Sequence, residues 1–163
     1  MKREISILIL AFAVTALAIR TVAADPIADG AAANNRGDYA TAWKLWRPLA
    51  ERGNASAQVF LGGLFESGHG VEMNPSEAAR WYGLAALQGN ANGQFFLGRM
   101  YDEGKGLPQD SVLAYKWFDL ACAHYSVEPE PTIACSYRAR LASTMTPEQI
   151  AEGQQLAREW KPK

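Results

Sequence analysis

Cysteine and histidine are scarce in this sequence, with two of each in 163 residues. Two cysteines cannot staple a chain of this length into a disulfide-dense scaffold. No Gly-x-Ser-x-Gly elbow, Ser-x-x-Lys pair or His-Glu-x-x-His helix occurs, so the commonest hydrolase constellations are missing. Charge of one sign is missing too: 16 basic against 17 acidic residues leave a formal charge of -1, which argues against nucleic-acid binding driven by bulk positive charge. With 48% hydrophobic and 20% charged residues, the chain is neither disordered nor polytopic in a membrane. Past residue 24 no apolar run approaches the roughly 20 residues of a spanning helix.

The exception lies at the start. Lys2 and Arg3 precede an apolar run from Ile5 to Ile19, and Val22-Ala23-Ala24 offers the small residues that a signal peptidase reads. Residues 1–24 are expected to be a signal peptide cleaved near Ala24, the alternative being an uncleaved anchor. Cleavage would remove Lys2, Arg3, Arg20 and Glu4, leaving a mildly acidic domain over 25–163, exported to the periplasm or secreted, where disulfides persist.

What is abundant is glycine, fourteen against eight prolines. The glycines repeat. A shift of 36 residues carries Gly53, Asn54, Ala55, Gln58, Leu61 and Gly62 onto Gly89, Asn90, Ala91, Gln94, Leu97 and Gly98, and carries Gly68, Gly70, Ala78, Trp81 and Ala85 onto Gly104, Gly106, Ala114, Trp117 and Ala121. Such self-similarity marks one supersecondary unit used more than once. Each unit reads as two helices. Ala57, Leu61 and Phe65 form an apolar stripe with Gly62 as a notch beside it, and Ala78, Trp81, Tyr82, Ala85 and Ala86 form the second. Asn54, Asn90 and Asp110 are placed as N-caps, and Asn74-Pro75-Ser76-Glu77 reads as an N-cap, a first-turn proline and a capping box.

The pattern continues weakly at both ends. Asp38 to Arg52 matches a second helix, since Ala42, Leu45-Trp46 and Leu49 fall on Ala78, Trp81-Tyr82 and Ala85, and Pro26 to Arg36 can supply its partner. Cys135 to Thr144 reads as a further first helix. Thr146 to Gln149 is a capping box opening a closing helix, with Ile150, Leu156, Ala157 and Trp160 facing inward. The expected fold is an all-α solenoid of eight helices in four antiparallel pairs, divided as a pair over 25–53, repeats over 54–89 and 90–125, and closing helices over 126–163. Neighbouring pairs must stack, because one pair cannot bury its own apolar face.

The run Leu61-Gly62-x-x-Phe65, Gly68-x-Gly70-Val71, Asn74, Ala78, Trp81-Tyr82, Ala85-Ala86 and Gly89 resembles the Sel1-like repeat family, relatives of the tetratricopeptide repeat, and the unit from Leu97 to Ala121 resembles it as closely. The two units cover 72 residues. Gly93, Cys122 and Tyr125 depart from the family pattern, where alanine, alanine and glycine are usual, and Gln58 and Gln94 stand where a tetratricopeptide repeat would carry tryptophan. The resemblance implies a right-handed superhelix and a non-enzymatic scaffold of the cell envelope or exterior that holds a protein or peptide partner in its concave groove, with no cofactor, metal or nucleic acid. Because some exported members are linked to penicillin binding, a β-lactam-binding or weakly β-lactam-hydrolysing protein is the alternative. The domain is expected to be monomeric.

Groove residues are sought on the first helix of each unit, on the face turned from its core: Ser56, Val59, Gly63, Glu66 and Ser67, then Asn92, Phe95, Arg99, Asp102 and Glu103. Phe95 beside Arg99 would anchor a partner, or else pack against the neighbouring repeat. His69, replaced by Lys105 in the next unit, is expected to face solvent. Cys122 and Cys135 map onto Ala86 and Ala91, on either side of an inter-helix turn that is lengthened here. They are expected to form a disulfide, the alternatives being two buried thiols or a zinc site with His124.

Overall fold

A computed structural model describes residues 25–124 and 133–163; the expected signal peptide and Tyr125 lie outside them. Eight helices are present among the described residues: α1 Pro26–Asn35, α2 Tyr39–Glu51, α3 Ala55–Ser67, α4 Pro75–Leu87, α5 Ala91–Glu103, α6 Ser111–His124, α7 Ile133–Ala142 and α8 Pro147–Glu159. The bounds of α2 and α4, and of α3 and α5, stand 36 residues apart. The repeat seen in the sequence is therefore a repeat of helices, and the fold is an all-α repeat solenoid.

Local chemistry sets the helix starts. The side-chain oxygens of Asn54, Asn74, Asn90 and Asp110 accept the amides of Ala57, Glu77, Gly93 and Leu113 at 2.9–3.1 Å, each satisfying one of the orphan donors of a first turn. Glu77 does not close the capping box expected of it. Its carboxylate pairs with Arg80 at 2.9 Å instead. The full box forms at α8, between Thr146 and Gln149. The ends of α3 and α5 turn on Gly68 and Gly104, with φ of 72° and 64°, the left-handed conformation that glycine adopts without a side-chain clash.

The core is three clusters stacked along the solenoid. Trp46, Leu61 and Leu64 centre the first; Tyr82, Leu97, Met100 and Trp117 the second; Phe95, Tyr115, Phe118 and Leu141 the third. Two buried glutamines join the repeats. Gln58 Nε2 donates to the carbonyl of Ala50 at 3.1 Å, and its Oε1 accepts from Gln88 Nε2 at 2.7 Å. Gln94 repeats the first bond to Ala86 at 3.5 Å. The glutamine amides thereby meet carbonyls in the last turn of the preceding helix, which have no partner within it. Gly93 replaces alanine because a Cβ there would lie 2.7 Å from that of Ala85.

The disulfide expectation is met. Cys122 and Cys135 are bonded, with Cα atoms 4.9 Å apart, tying the end of α6 to the start of α7. This overturns both alternatives, two separate buried thiols and a zinc site with His124. The expectation of a fourth antiparallel pair needs correction, because α8 packs mainly on α6 and not on α7. Gly153 allows this approach, since a Cβ there would lie 2.9 Å from the Tyr115 ring. Beyond α8, Trp160 stands edge-on to Trp117 at 6.1 Å and the Lys163 amide donates to the Leu87 carbonyl at 2.9 Å. Of the residues expected to face inward on α8, Ala157 is buried, while Ile150, Leu156 and Trp160 are half-buried.

Candidate functional site

The odd-numbered helices share one face of the solenoid. On α3 the stripe Ser56, Phe60, Gly63, Ser67 follows the four-three-four spacing of one helical face. On α5 the same positions hold Asn92, Phe96, Arg99 and Glu103, each 36 residues on. A cleft of about 380 Å³ runs along these stripes from Asn34 to Phe96. An adjoining recess of about 430 Å³ shares Gly63, Ser67, Tyr82 and Phe96 with it and ends at Glu66, Arg99 and Lys105.

Two stacked aromatic pairs floor the cleft. Trp46 stacks on Phe60 with ring centroids 4.5 Å apart, and Tyr82 stacks on Phe96 at 4.9 Å. The pairs are the same two positions one repeat apart. Each presents a flat apolar surface with a polar edge, the combination favoured where partners bind. At the mouth of the cleft His69 stacks on Tyr39 at 4.3 Å. His69 is exposed, as expected, and also lines the cleft.

Glu66 organises the recess. One of its oxygens accepts from the Arg99 guanidinium and, at 3.2 Å, from Lys105 Nζ. The other accepts the Tyr82 hydroxyl at 2.9 Å. Burial, reinforced by the negative charge of Glu66, pushes the Tyr82 phenol well above its ordinary range. The Arg99 guanidinium also lies 5.3 Å from the centre of the Phe96 ring, within cation–π range. One repeat later Asp102 takes the place of Glu66 and pairs with Arg140 of α7 at 2.7 Å. α3 and α5 are thus each tied by a carboxylate to an arginine on the next odd-numbered helix.

The structure brings Ser56, Glu66, Asn92, Arg99, Asp102 and Glu103 to the surface of this face, fully or in part. Val59 and Phe95 are placed differently. Val59 is 8% exposed and joins the second core cluster. Phe95 is 9% exposed and packs edge-on to Tyr137 of α7 at 5.2 Å, so it performs the neighbour-packing role and not that of an open anchor. The aromatic groups in the cleft are Phe60 and Phe96, with Trp46, Tyr82 and His69 beside them. A signal for the first two was available, because Phe60 and Phe96 are a further identity at the 36-residue offset. Lys105 had no such signal: it replaces His69 in a loop, and only the fold turns it toward Glu66.

Residues 55–90 and 91–126 each match the Sel1 repeat. The chain is also similar to two solved structures. One is a protective antigen present in uropathogenic Escherichia coli strains displaying an SLR fold, with a TM-score of 0.75 and 28% identity over 83% of this chain and 29% of that one. The other is a Sel1 repeat protein from Oxalobacter formigenes, with a TM-score of 0.65 and 26% identity over 83% of this chain and 56% of that one. This chain therefore spans less than two thirds of either. No curated protein matches it.

Proposed function

Two Sel1 repeats at its centre make this chain a Sel1-like repeat protein, and on that premise we propose that it is a non-enzymatic scaffold that binds a segment of a partner protein along the cleft of α1, α3 and α5. The observation that carries this reading is the doubled aromatic floor, Trp46 with Phe60 and Tyr82 with Phe96, ending at the Glu66–Arg99–Lys105 cluster. Repetition at 36 residues presents the same anchor site twice along one groove, which suits an extended or helical segment with two apolar anchors. Glu103 and the exposed part of Lys105 edge the groove with both signs of charge, and charges there act on orientation and association rate more than on affinity. Export to an oxidising compartment belongs to the same reading and is supported by the Cys122–Cys135 disulfide. So does a monomeric state.

The test is a pull-down from cell-envelope extract, comparing the wild type with Phe96→Ala plus Arg99→Ala and with Phe60→Ala. Loss of the same partner in both variants, with both still helical by circular dichroism, is expected. Partner lists that survive both would remove the cleft as the binding site.

A further inference from the structure

The even-numbered helices form the opposite layer, and the 36-residue offset allows their successive interfaces to be compared position by position. Between α2 and α4 the space is filled by Trp43, Arg47 and Glu51. Trp43 stands edge-on to Phe65 at 5.5 Å, the Arg47 guanidinium lies 5.6 Å over its ring, and Glu51 holds Arg47 at 2.8 Å. A shallow space of about 280 Å³ is left. Between α6 and α8 the helices meet directly, at Gly153 and Tyr115. Between α4 and α6 neither happens. The positions of Trp43, Arg47 and Glu51 are taken by Ala79, Gly83 and Leu87, and a hollow of about 510 Å³ opens between Leu97, Leu107, Trp117 and Tyr101. Tyr101 is the counterpart of Phe65.

Gly83 sharpens the contrast. Glycine inside a helix is destabilising relative to alanine, and at Gly62, Gly93, Gly98 and Gly153 a neighbouring side chain or backbone atom crowds the Cβ position. At Gly83 an added Cβ would meet nothing within 4 Å. Packing within the chain does not account for it, and a ligand entering the hollow would. Arg80 lines the hollow with its guanidinium 4.2 Å over the Trp81 ring, and its charge is met by Glu77 at 2.9 Å. Lys116 Nζ lies 4.4 Å over the Trp117 ring and makes no ion pair among the described residues. Burial lowers the pKa of that ammonium, a cost that a facing carboxylate would relieve.

We propose that this hollow is a docking site for an aromatic side chain carried on an acidic segment of a partner polypeptide. The ring takes, between α4 and α6, the place that Trp43 takes between α2 and α4, edge-on to Tyr101, while a flanking carboxylate meets Lys116 beside Trp117. The site is on the other layer from the cleft, so either can fail without the other.

The experiment is an amide-resonance titration of the protein with an acetylated, amidated tripeptide of aspartate, tryptophan and glutamate. Shifts confined to the surroundings of Gly83, Leu84 and Leu107 are expected, with binding weakened about tenfold or more when the tryptophan is replaced by alanine or the acids by lysines. Ala79→Trp with Gly83→Arg copies the preceding repeat's own filling and is expected to abolish the shifts. Leu84→Glu, at a position 37% exposed, is expected to weaken binding without unfolding the chain, and it reads the site if the double substitution fails to fold. Unchanged affinity in Leu84→Glu and in a folded double variant, or equal binding of the alanine tripeptide, would overturn the proposal. N-acetyltryptophanamide binding as tightly as the tripeptide would reassign the hollow to a free aromatic molecule. The same amides shifting with protein concentration alone would reassign it to a second copy of this chain. Either result overturns the acidic-segment assignment.

Discussion

The Tyr82 hydroxyl donates to Glu66 Oε2 at 2.9 Å, a bond that joins the core of one helix pair to the charged end of the cleft. The phenol sits on the even-numbered layer and the carboxylate on the odd one, and Arg99 and Lys105 reach the same carboxylate from the next repeat. Glu66→Gln keeps the shape but leaves Arg99, only 24% exposed, with Glu103 at 3.9 Å as its remaining counter-charge. A loss of about 2 kcal/mol is expected by denaturant unfolding, against about 1 kcal/mol for Tyr82→Phe, which removes a single hydrogen bond.

The same pair makes a pH prediction. Folding raises the Tyr82 pKa above its ordinary value of 10.0, so at alkaline pH the unfolded chain gives up this proton before the folded one does. The contribution is intact below that ordinary value and is lost as pH rises above it. The thermal midpoint of the wild type should therefore fall more steeply above pH 10 than that of Tyr82→Phe. Scanning calorimetry of both proteins between neutral and strongly alkaline pH checks this, and parallel curves would contradict it.

The Cys122–Cys135 bond closes a separation of 13 residues. For a loop of that size the unfolded chain loses conformational freedom equivalent to about 3 kcal/mol of stability. Replacing both cysteines by serine, or reducing the protein, should lower the unfolding midpoint by a corresponding amount. Mass spectrometry with and without reductant reports the bond itself.

Two glycine substitutions should act in opposite directions. A Cβ at Gly98 would lie 2.9 Å from the Phe118 ring, which is itself fully buried, whereas one at Gly83 enters open space. Gly98→Ala is expected to destabilise by about 1–3 kcal/mol through overpacking. Gly83→Ala should stabilise by up to about 1 kcal/mol through helix propensity. Chemical denaturation of the two variants beside the wild type is the measurement.

Much of this architecture could be read before any coordinates. The offset of Trp81 and Trp117, the capping asparagines and the glycine stops are local signals, and local signals survive in the sequence because each residue answers mainly to its own helix. Phe95 and Phe96 show where that reading ended. Adjacent residues on a helix point about 100° apart, and both directions are apolar here, one toward α7 and one into the cleft. Nothing in the spacing of α5 alone says which neighbour lies on which side.

The scarce cysteines and histidines and the balanced charge only excluded other classes; the periodic glycines, the capping residues and the spaced tryptophans determined the repeat solenoid and its helix boundaries, because period, caps and turn residues are properties of short stretches of chain. Only the tertiary structure decided that α8 leaves α7 for α6, that Phe96 and not Phe95 floors the cleft, and that the α4/α6 interface stays open beside Gly83. Those outcomes depend on how closely two surfaces from different repeats can approach. Gly153 admits a helix, Trp43 fills a gap, and Ala79 with Gly83 leaves one. A repeat unit encodes its own two helices, but the space between units is set jointly by side chains that never meet along the sequence.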